Sequence, residues 1–309
     1  MTAGRMPTFL IVGAAKSGTT ACYHYLRAHP DIYMSPVKEP RFFAYEGRRP
    51  TYTGSYDRAW VESAVIDLKA YQRLFDGATT EHARGEASVL YLHTPECAQR
   101  IRAHIPDVRL VAILRDPVER AYSQFLHHVR DGLTVDADFL EALDAEPSRI
   151  DAGWSPIYEY ANRGLYYSQL SRFYAVFSPQ QIRVYLYEDF CGEPRRVLSD
   201  LYEFLGTSRD FVPPLDQVYN PSGVPRSRLV YRAYESLAKV ARAAERRGLI
   251  PPGSLDAGVA PRLARAFQRR LLDRKPMPDD ARIRLRRFFR EDTLKLQDLL
   301  GRDLSRWLS

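Results

Sequence analysis

The stretch Pro7–Thr20, PTFLIVGAAKSGTT, combines an apolar run with a turn of small and polar residues. Phe9–Val12 has the composition of a buried central strand in a parallel sheet. The following residues, Gly13–Thr20, are small, include Lys16 and carry three hydroxyls. Small residues let backbone N–H groups approach an anion, and the N-terminus of a helix expected over 21–26 adds positive potential. The stretch therefore predicts a phosphate-binding strand–turn–helix, with an ordinary turn of the same shape as the alternative.

The pattern departs from the P-loop of nucleotide hydrolases and kinases. That loop is G-x-x-x-x-G-K-[ST], with the lysine directly after the second glycine. Here Lys16 lies inside the loop, and Thr19 follows Gly18. The spacing predicts a phosphate site of a related but different kind.

A second apolar run, Val108–Leu114, ends in a charged motif. Arg115 follows the run, and its planar guanidinium suits a phosphate group. Asp116 is a natural N-cap and Pro117 a natural first helical residue, so we expect a helix over 118–129. On that helix Ser123 offers a hydroxyl donor, and His127 follows one turn later.

The elements that must position these groups alternate along the chain. We expect strands at 9–12, 32–34, 108–114 and 182–187, with another ending near 88, and helices between them. This alternation predicts an α/β fold of three layers, α/β/α, with a central parallel sheet. Because ligands bind at the carboxyl ends of such strands, we expect Lys16, Arg115 and Glu188 at one edge of the sheet.

The rest of the chain offers fewer signals. Residues 131–163 are expected to be long and irregular, and residues 44–80 to be turn-rich with one helix near 68–75. From residue 220 arginine dominates, and helices are expected at 228–247, 261–272 and 279–299. We expect a single domain over 1–309, with a nucleotide-binding core over 7–230 and C-terminal helices over 231–309.

The overall composition limits the partners and the compartment. The net charge of +7 and the pI of about 9.3 favour an anionic partner, whether a polyanionic cofactor, an acidic substrate or a nucleic acid. The three cysteines are far apart and lack metal-ligand spacing, which favours a reducing compartment. No apolar run is long enough for a membrane span or a signal peptide, so we expect a cytoplasmic protein. The scarcity of lysine among the basic residues suggests a G+C-rich bacterial genome.

Read together, the motifs resemble those of sulfotransferases that use 3′-phosphoadenosine 5′-phosphosulfate (PAPS). Ala15–Thr20 is similar to their 5′-phosphosulfate loop, and Leu114–Ser123 is similar to their 3′-phosphate motif, about 100 residues later. Further similar stretches are Lys38-Glu39-Pro40 before Phe42-Phe43, Gly85-Glu86-Ala87-Ser88, Tyr187-Glu188-Asp189, and Asn220 through Arg228. The stretch Lys38–Pro40 is closer to the glycan-type, heparan-like branch than to the cytosolic phenol and steroid branch.

The resemblance implies the reaction and the site. PAPS would donate its sulfuryl group to a hydroxyl, or less favourably an amine, of a small molecule, glycan or lipid, by in-line displacement. Lys16 would steady the leaving oxygen, and Glu39, which matches the branch's general base, would take the proton of the acceptor. His127 is the other candidate base. The implied cofactor-binding residues are Lys16, Ser17, Gly18, Thr19, Thr20, Arg115 and Ser123, with Arg226 or Arg228 closing over the cofactor. No metal is expected.

The match is incomplete near the third motif. Glycan-modifying relatives often carry a lysine near this strand end, where Ala87 and Ser88 stand here, and Val89 replaces a common proline. These departures weaken the case for a sulfated polysaccharide as acceptor. We expect the acceptor-selecting residues within 44–80 and 131–163.

Two other functions remain open. A P-loop NTPase or kinase would carry Gly-Lys-[Ser/Thr] and a strand ending in a magnesium-binding aspartate, and neither feature is present here. A nucleic-acid-binding protein would use the basic C-terminal helices and bind with steep salt dependence. We expect no nucleic-acid partner.

Overall fold

A five-stranded parallel sheet forms the centre of the chain. The computed structural model describes residues 5–54, 57–134, 136, 138–215, 223–225, 227, 271–273, 275–309 and isolated positions between 233 and 249. The strand order is β2-β3-β1-β4-β5, and every neighbouring pair is parallel. The strands are β1 (Phe9–Gly13), β2 (Ile32–Met34), β3 (Ala83–Ala87), β4 (Arg109–Leu114) and β5 (Ile182–Leu186). A separate antiparallel pair joins β6 (Val224–Pro225) to β7 (Leu272–Asp273).

Helices connect the strands and continue to the C-terminus. In chain order they are α1 (Thr19–Arg27), α2 (Phe42–Tyr45), α3 (Asp57–Glu62), α4 (Leu68–Arg73), α5 (Leu90–His93), α6 (Cys97–His104), α7 (Pro117–Asp131), α8 (Phe139–Asp151), α9 (Tyr166–Tyr174), α10 (Tyr187–Gly192), α11 (Pro194–Leu205) and α12 (Asp279–Leu300). Short 3₁₀ turns lie at Pro156–Tyr158, Asn162–Gly164, Pro179–Gln181 and Ser305–Trp307.

The sheet is covered on both faces because successive strand residues point to opposite sides. Leu10 and Val12 pack with residues of α5, α6 and α9, whereas Phe9 and Ile11 pack with α1 and α11. Gly85 on β3 lies directly under Phe9, since a Cβ there would be 2.2 Å from the Phe9 ring. The three-layer α/β/α fold with a central parallel sheet is therefore confirmed.

The described elements confirm most of the sequence predictions. The helix after β4 begins at Pro117, and the Asp116 carboxylate accepts hydrogen bonds from the N–H groups of Val118 at 2.9 Å and Glu119 at 3.5 Å. The helix expected at 279–299 is α12. The helices expected at 228–247 and 261–272 lie almost entirely outside the described residues.

Three local predictions are wrong. Residues 131–163 are not wholly irregular, because α8 runs through Pro147, with Asp138 as its N-cap. Proline lacks a backbone N–H donor, but a helix can continue through it when tertiary packing stabilises the helix. Here Phe139 and Leu143 of α8 are buried. The strand expected to reach Tyr187 ends at Leu186, and α3 adds a helix to the segment 44–80.

The described residues contain neither a membrane-spanning helix nor a cluster of metal ligands. No helix within these ranges is both long and apolar enough to cross a bilayer. No group of three or more His, Cys, Asp or Glu side chains in the same ranges is arranged to hold a metal ion.

Candidate active site

The loop between β1 and α1 has the shape of an anion cradle. Lys16 and Gly18 adopt positive φ angles of 64° and 86°, which turn the chain sharply before α1. Gly18 is the N-cap and provides no side-chain cap, so the first N–H groups of α1 receive no bond from it. The Ser17 hydroxyl is buried beside Tyr166, and no described group forms a hydrogen bond of normal geometry with it. Position 18 favours glycine because its φ of 86° strains other residues, and a Cβ there would also lie 3.1 Å from the Tyr187 ring.

Arg115 joins this loop to the second motif. Because β1 and β4 are neighbours, their carboxyl ends meet, and Arg115 Nη1 donates to the Lys16 carbonyl oxygen at 3.3 Å. Its guanidinium lies over the Tyr187 ring, 4.9 Å from the centroid, and 3.7 Å from Glu119. The Arg115 carbonyl oxygen accepts a hydrogen bond from the Tyr166 hydroxyl at 3.0 Å. These contacts hold the guanidinium beside the loop, as expected from the sheet topology.

The Lys16 ammonium rests against helix α7. Its Nζ lies 3.2 Å from His127 Nδ1, and Arg130 Nη2 lies 2.7 Å from the same nitrogen. His127 Nε2 lies 3.2 Å from the Asp131 carboxylate. This arrangement fits a neutral imidazole that accepts at Nδ1 from two cations and donates at Nε2 to Asp131. Burial, then the charges of Lys16 and Arg130, hold the pKa of His127 well below its ordinary value.

Lys16 itself is perturbed by the same cluster. Burial, then the charge of Arg130, and after it the charges of Arg115 and Lys38, lower its pKa to about 7. Asp131 opposes this shift by favouring the charged ammonium. Positive charge is thus concentrated around the loop, where an anionic ligand would relieve it.

Glu39 follows β2 in the chain and lies beside the carboxyl end of β3. Its backbone is constrained. Its φ angle is 62°, and its N–H donates to the Ala87 carbonyl oxygen at 2.9 Å. One carboxylate oxygen accepts from the Val89 N–H at 3.1 Å, and the other accepts from Lys38 Nζ at 2.9 Å. The side chain remains 28% exposed, so an acceptor can reach it. Since β3 pairs with β1, this edge also borders the Lys16 loop.

A second carboxylate, Glu86, lies on β3 before Ala87 and is fully buried. The Tyr71 hydroxyl donates to it at 3.2 Å. Burial raises the pKa of Glu86 to about 7, with hydrogen bonds from Tyr91 and Ser88 opposing the shift and the charge of Glu39 adding to it. Glu86 therefore stabilises the end of β3 through hydrogen bonds within the core.

A cleft of about 700 Å³ opens between the chain after α2 and the region around α9. The Tyr45 and Tyr52 hydroxyls lie 3.2 Å apart on one wall, and His93 Nε2 lies 3.2 Å from the Glu159 carboxylate on the other. The lining residues come from 44–52, 93–100 and 156–172, so they overlap the two segments expected to select the acceptor. A second cavity of about 550 Å³ is lined by Arg115, by α10 and by the C-terminal 3₁₀ turn.

The structure brings together most of the predicted site residues. The loop residues 16–20, Arg115 and His127 meet at one edge of the sheet, and Glu39 lies at the neighbouring strand end. Ser123 is buried on α7, on the turn before His127. Arg226 and Arg228 lie outside the described residues. Arg130 and Asp131 were not predicted from the sequence, although they follow His127 by three and four residues, a spacing that places them on one helix face.

A parallel sheet with two linked cationic motifs at its carboxyl edge places the chain in the P-loop-like α/β class of proteins. A family model described as "Sulfotransferase family" matches residues 7–210. The chain therefore belongs to the sulfotransferase family, and the resemblance predicted from its motifs is confirmed.

Individual relatives agree with this assignment. The chain is 30% identical over 210 residues to human heparan sulfate glucosamine 3-O-sulfotransferase 3B1, covering 66% of this chain and 47% of that protein. It is 29% identical over 210 residues to human bifunctional heparan sulfate N-deacetylase/N-sulfotransferase 3, covering 66% of this chain and 23% of that protein. The chain thus spans less than half the length of these curated relatives.

One solved structure matches along the whole chain. A sulfotransferase from Alicyclobacillus acidocaldarius is 34% identical, with a TM-score of 0.75, and the match covers 99% of this chain and 100% of that one. A sulfotransferase domain from the curacin biosynthetic pathway has a TM-score of 0.52 at 14% identity and shows only that the fold is shared.

Proposed function

We propose that this protein transfers the sulfuryl group of PAPS to a hydroxyl, or less favourably an amine, of a small molecule, glycan or lipid. The observation that carries the proposal is the contact between Arg115 and the Lys16 loop. It joins two cationic sites at one sheet edge, and a donor with a 5′-phosphosulfate and a separate 3′-phosphate needs two such sites. The acceptors named for the heparan sulfate relatives make a glycan one class to test.

The residues at the first loop fit the donor. The unsatisfied Ser17 hydroxyl, the uncapped start of α1 and the close approach at Gly18 all favour an anion there. Lys16 and residues 17–20 would hold the 5′-phosphosulfate, and Arg115 and Ser123 the 3′-phosphate. The role of Arg226 or Arg228 stays a prediction from the family resemblance. When bound, PAPS supplies the sulfuryl group and a phosphate leaving group.

Glu39 is our candidate general base. The acceptor oxygen forms a bond to sulfur as the bond from sulfur to the phosphate oxygen breaks, and the hydroxyl proton passes to the Glu39 carboxylate. Lys16 neutralises the negative charge that grows on the leaving oxygen. His127 is poorly suited as the base, because its Nδ1 already faces two cations and its pKa is depressed.

Paired variants test the assignment. Glu39→Gln is expected to keep the affinity for adenosine 3′,5′-bisphosphate (PAP) and to lose about 10²-fold or more in single-turnover rate, the usual value of a placed base. His127→Ala is expected to lose less, because His127 acts on Lys16 and not on the acceptor. A nearly fully active Glu39→Gln protein together with an inactive His127→Ala protein would instead identify His127 as the base.

A binding isotherm for PAP separates this function from its alternatives. A sulfotransferase binds PAP without magnesium, whereas a kinase needs the metal for turnover. A nucleic-acid-binding protein would show steep salt dependence toward DNA or RNA and no affinity for PAP. A sulfate-transfer screen on pooled metabolites, read as the mass increment of one SO₃ group, would identify the acceptor.

A further inference from the structure

Arg163 lies in a turn that the surrounding structure holds tightly. The buried Glu146 carboxylate accepts hydrogen bonds from the N–H groups of Ala161 at 2.7 Å and Asn162 at 2.9 Å. The next residue, Gly164, packs so closely on α12 that a Cβ would lie 2.7 Å from the Phe289 ring. The backbone at Arg163 is therefore fixed, and its side chain is presented from a rigid turn.

The Arg163 side chain is a buried cation without a partner. Only 7% of the residue is exposed, yet it makes no hydrogen bond or ion pair with any other residue in the described ranges. Its nitrogens are not among the sealed, unpartnered polar atoms of those ranges, so the guanidinium keeps an opening to solvent. A buried charge is costly unless it is paired and hydrogen-bonded.

Other buried arginines in the chain show the usual solution. Arg120 donates to Gln124 Oε1 at 2.6 Å and to the Tyr160 carbonyl oxygen. Arg41 donates to the Glu39 carbonyl oxygen at 3.0 Å and to Ser63 at 2.5 Å. Arg163 differs from both because its guanidinium N–H groups have no acceptor among the described residues.

Arg163 lies within electrostatic range of the Glu39 carboxylate. Burial lowers the pKa of Arg163, and the carboxylates of Glu159 and Glu39 oppose the shift most strongly, followed by Tyr45 and Tyr166. Both carboxylates are already engaged, Glu159 with His93 and Glu39 with Lys38 and the Val89 N–H. Glu159 and Tyr45 line the 700 Å³ cleft, as does Asn162 beside Arg163. By contrast, the charges that act most on Lys16 are Arg130, Asp131, Arg115 and Lys38.

We propose that Arg163 anchors the acceptor by binding an oxyanion, a carboxylate or a sulfate, carried by the acceptor molecule itself. The acceptor is then an anionic hydroxyl compound, held with a hydroxyl at Glu39 and its anion on the Arg163 guanidinium. The planar fork of arginine matches such groups through two parallel hydrogen bonds. This inference rests on the proposed function, because it assigns the acceptor of the same reaction.

Binding of simple anions gives a test that does not depend on turnover. The protein is saturated with PAP, and the arginine Nε–H signals are followed by ¹H–¹⁵N NMR during titration with sodium sulfate, sodium acetate or neutral acetamide at constant ionic strength. The Arg163 signal is assigned by its loss in Arg163→Gln. We expect it to move with acetate or sulfate and not with acetamide, and the two anions distinguish a carboxylate from a sulfate site. An Arg163 signal that moves with neither anion would overturn the proposal.

Turnover gives the second test. In a panel of hydroxy acids paired with their amides, wild-type protein is expected to sulfate the acids preferentially. Arg163→Gln is expected to lose at least tenfold in kcat/KM for the acids, with unchanged PAP affinity and unchanged rates on the amides. Arg163→Lys keeps the charge without the fork and is expected to recover part of the loss.

Arg102→Gln is the matched control, because this exposed arginine lies outside the cleft lining and donates to the Pro106 carbonyl oxygen at 2.7 Å. It is expected to keep the preference for acids. If Arg163→Gln does not fold, the loss of the signal in Arg163→Lys assigns it, and the titration of the wild-type protein then decides. Failure of wild-type protein to bind PAP would refute the proposed function, whereas PAP binding and sulfate transfer without a preference for acids would refute only the role of Arg163.

Discussion

The perturbed Lys16 ammonium predicts how PAP affinity depends on pH. An ordinary lysine stays charged to a pKa of 10.5, but burial and the neighbouring cations lower the pKa of Lys16 to about 7 in the free protein. A bound phosphate favours the charged form and raises this pKa again. PAP therefore binds the protonated protein, and its affinity falls as the pH rises above 7.

The size of the effect follows from the shift. At pH 8 about one protein in ten carries the Lys16 proton before binding, so about 0.9 proton is taken up per PAP bound. Between pH 7 and 9 the dissociation constant is expected to rise about fifty-fold. At the upper end of this range the binding free energy weakens by close to 1.4 kcal/mol per pH unit. The two phosphate monoesters of PAP contribute little in this range, because the second pKa of each lies near 6.

Isothermal titration calorimetry measures both quantities. Titrations at several pH values give the dissociation constant, and titrations in two buffers of different ionisation enthalpy give the proton uptake. Lys16→Met is expected to abolish the slope. A dissociation constant that stays flat from pH 7 to 9, without proton uptake, would refute the argument.

Two matched variants identify the titrating group. Glu86 also has a pKa of about 7, so Glu86→Gln must keep the slope if Lys16 is responsible. Lys38→Met removes a nearby charge and must also keep a slope, displaced toward higher pH because Lys38 lowers the pKa of Lys16. The pKa values of His127 and His128 lie well below this window.

Two further predictions concern the cofactor and metals. Arg115→Ala is expected to weaken PAP binding by about 1.5–3 kcal/mol, the usual value of a hydrogen bond to a charged group, whereas exposed Arg102→Ala is expected to leave it unchanged; equal affinities for wild type and Arg115→Ala in calorimetry would contradict the assignment. Sulfate transfer is expected to continue in excess EDTA, because Lys16 and Arg115 take the role that magnesium has in kinases; activity lost in EDTA and restored by magnesium would favour the kinase alternative.

The positions of the two cationic motifs could be predicted from sequence because each is set by local chemistry. An apolar run followed by small residues makes a strand and a tight turn, and Asp116-Pro117 starts a helix wherever it follows a buried strand. The parallel sheet then brings the two strand ends together, so a local reading was enough to predict a shared site.

Helix α8 shows where local signals fail. Its N-cap Asp138 accepts a hydrogen bond from the Glu141 N–H, which is an ordinary start signal. Pro147 then argues against a helix in the local sequence, but burial of Phe139 and Leu143 outweighs the lost backbone bond. Packing of this kind depends on residues far away in the chain and cannot be read from a window.

The unpaired state of Arg163 is a still more distant property. Its sequence neighbours say nothing about whether Glu159 or Glu39 will be free to pair with it. That outcome depends on His93, which binds the Glu159 carboxylate, and on Lys38, which binds the Glu39 carboxylate. A site residue of this kind is found only when every nearby charge has been assigned its partner.

The unbalanced charges of the site also destabilise the folded protein when no ligand is bound. Lys16 faces Arg130, Arg115 and Lys38 with Asp131 as the opposing charge, and Arg163 has no described partner at all. Because the pKa of Lys16 is lower in the folded protein than in the unfolded chain, its burial destabilises the fold most below pH 7, and the penalty is relieved as the pH rises toward 10.5. Anions that bind only the folded protein remove this cost, so PAP is expected to stabilise the fold more strongly than its contacts with Arg115 alone would suggest. The surplus of positive charge at the sheet edge is thus expected to lower the stability of the free protein and to raise its affinity for anionic ligands.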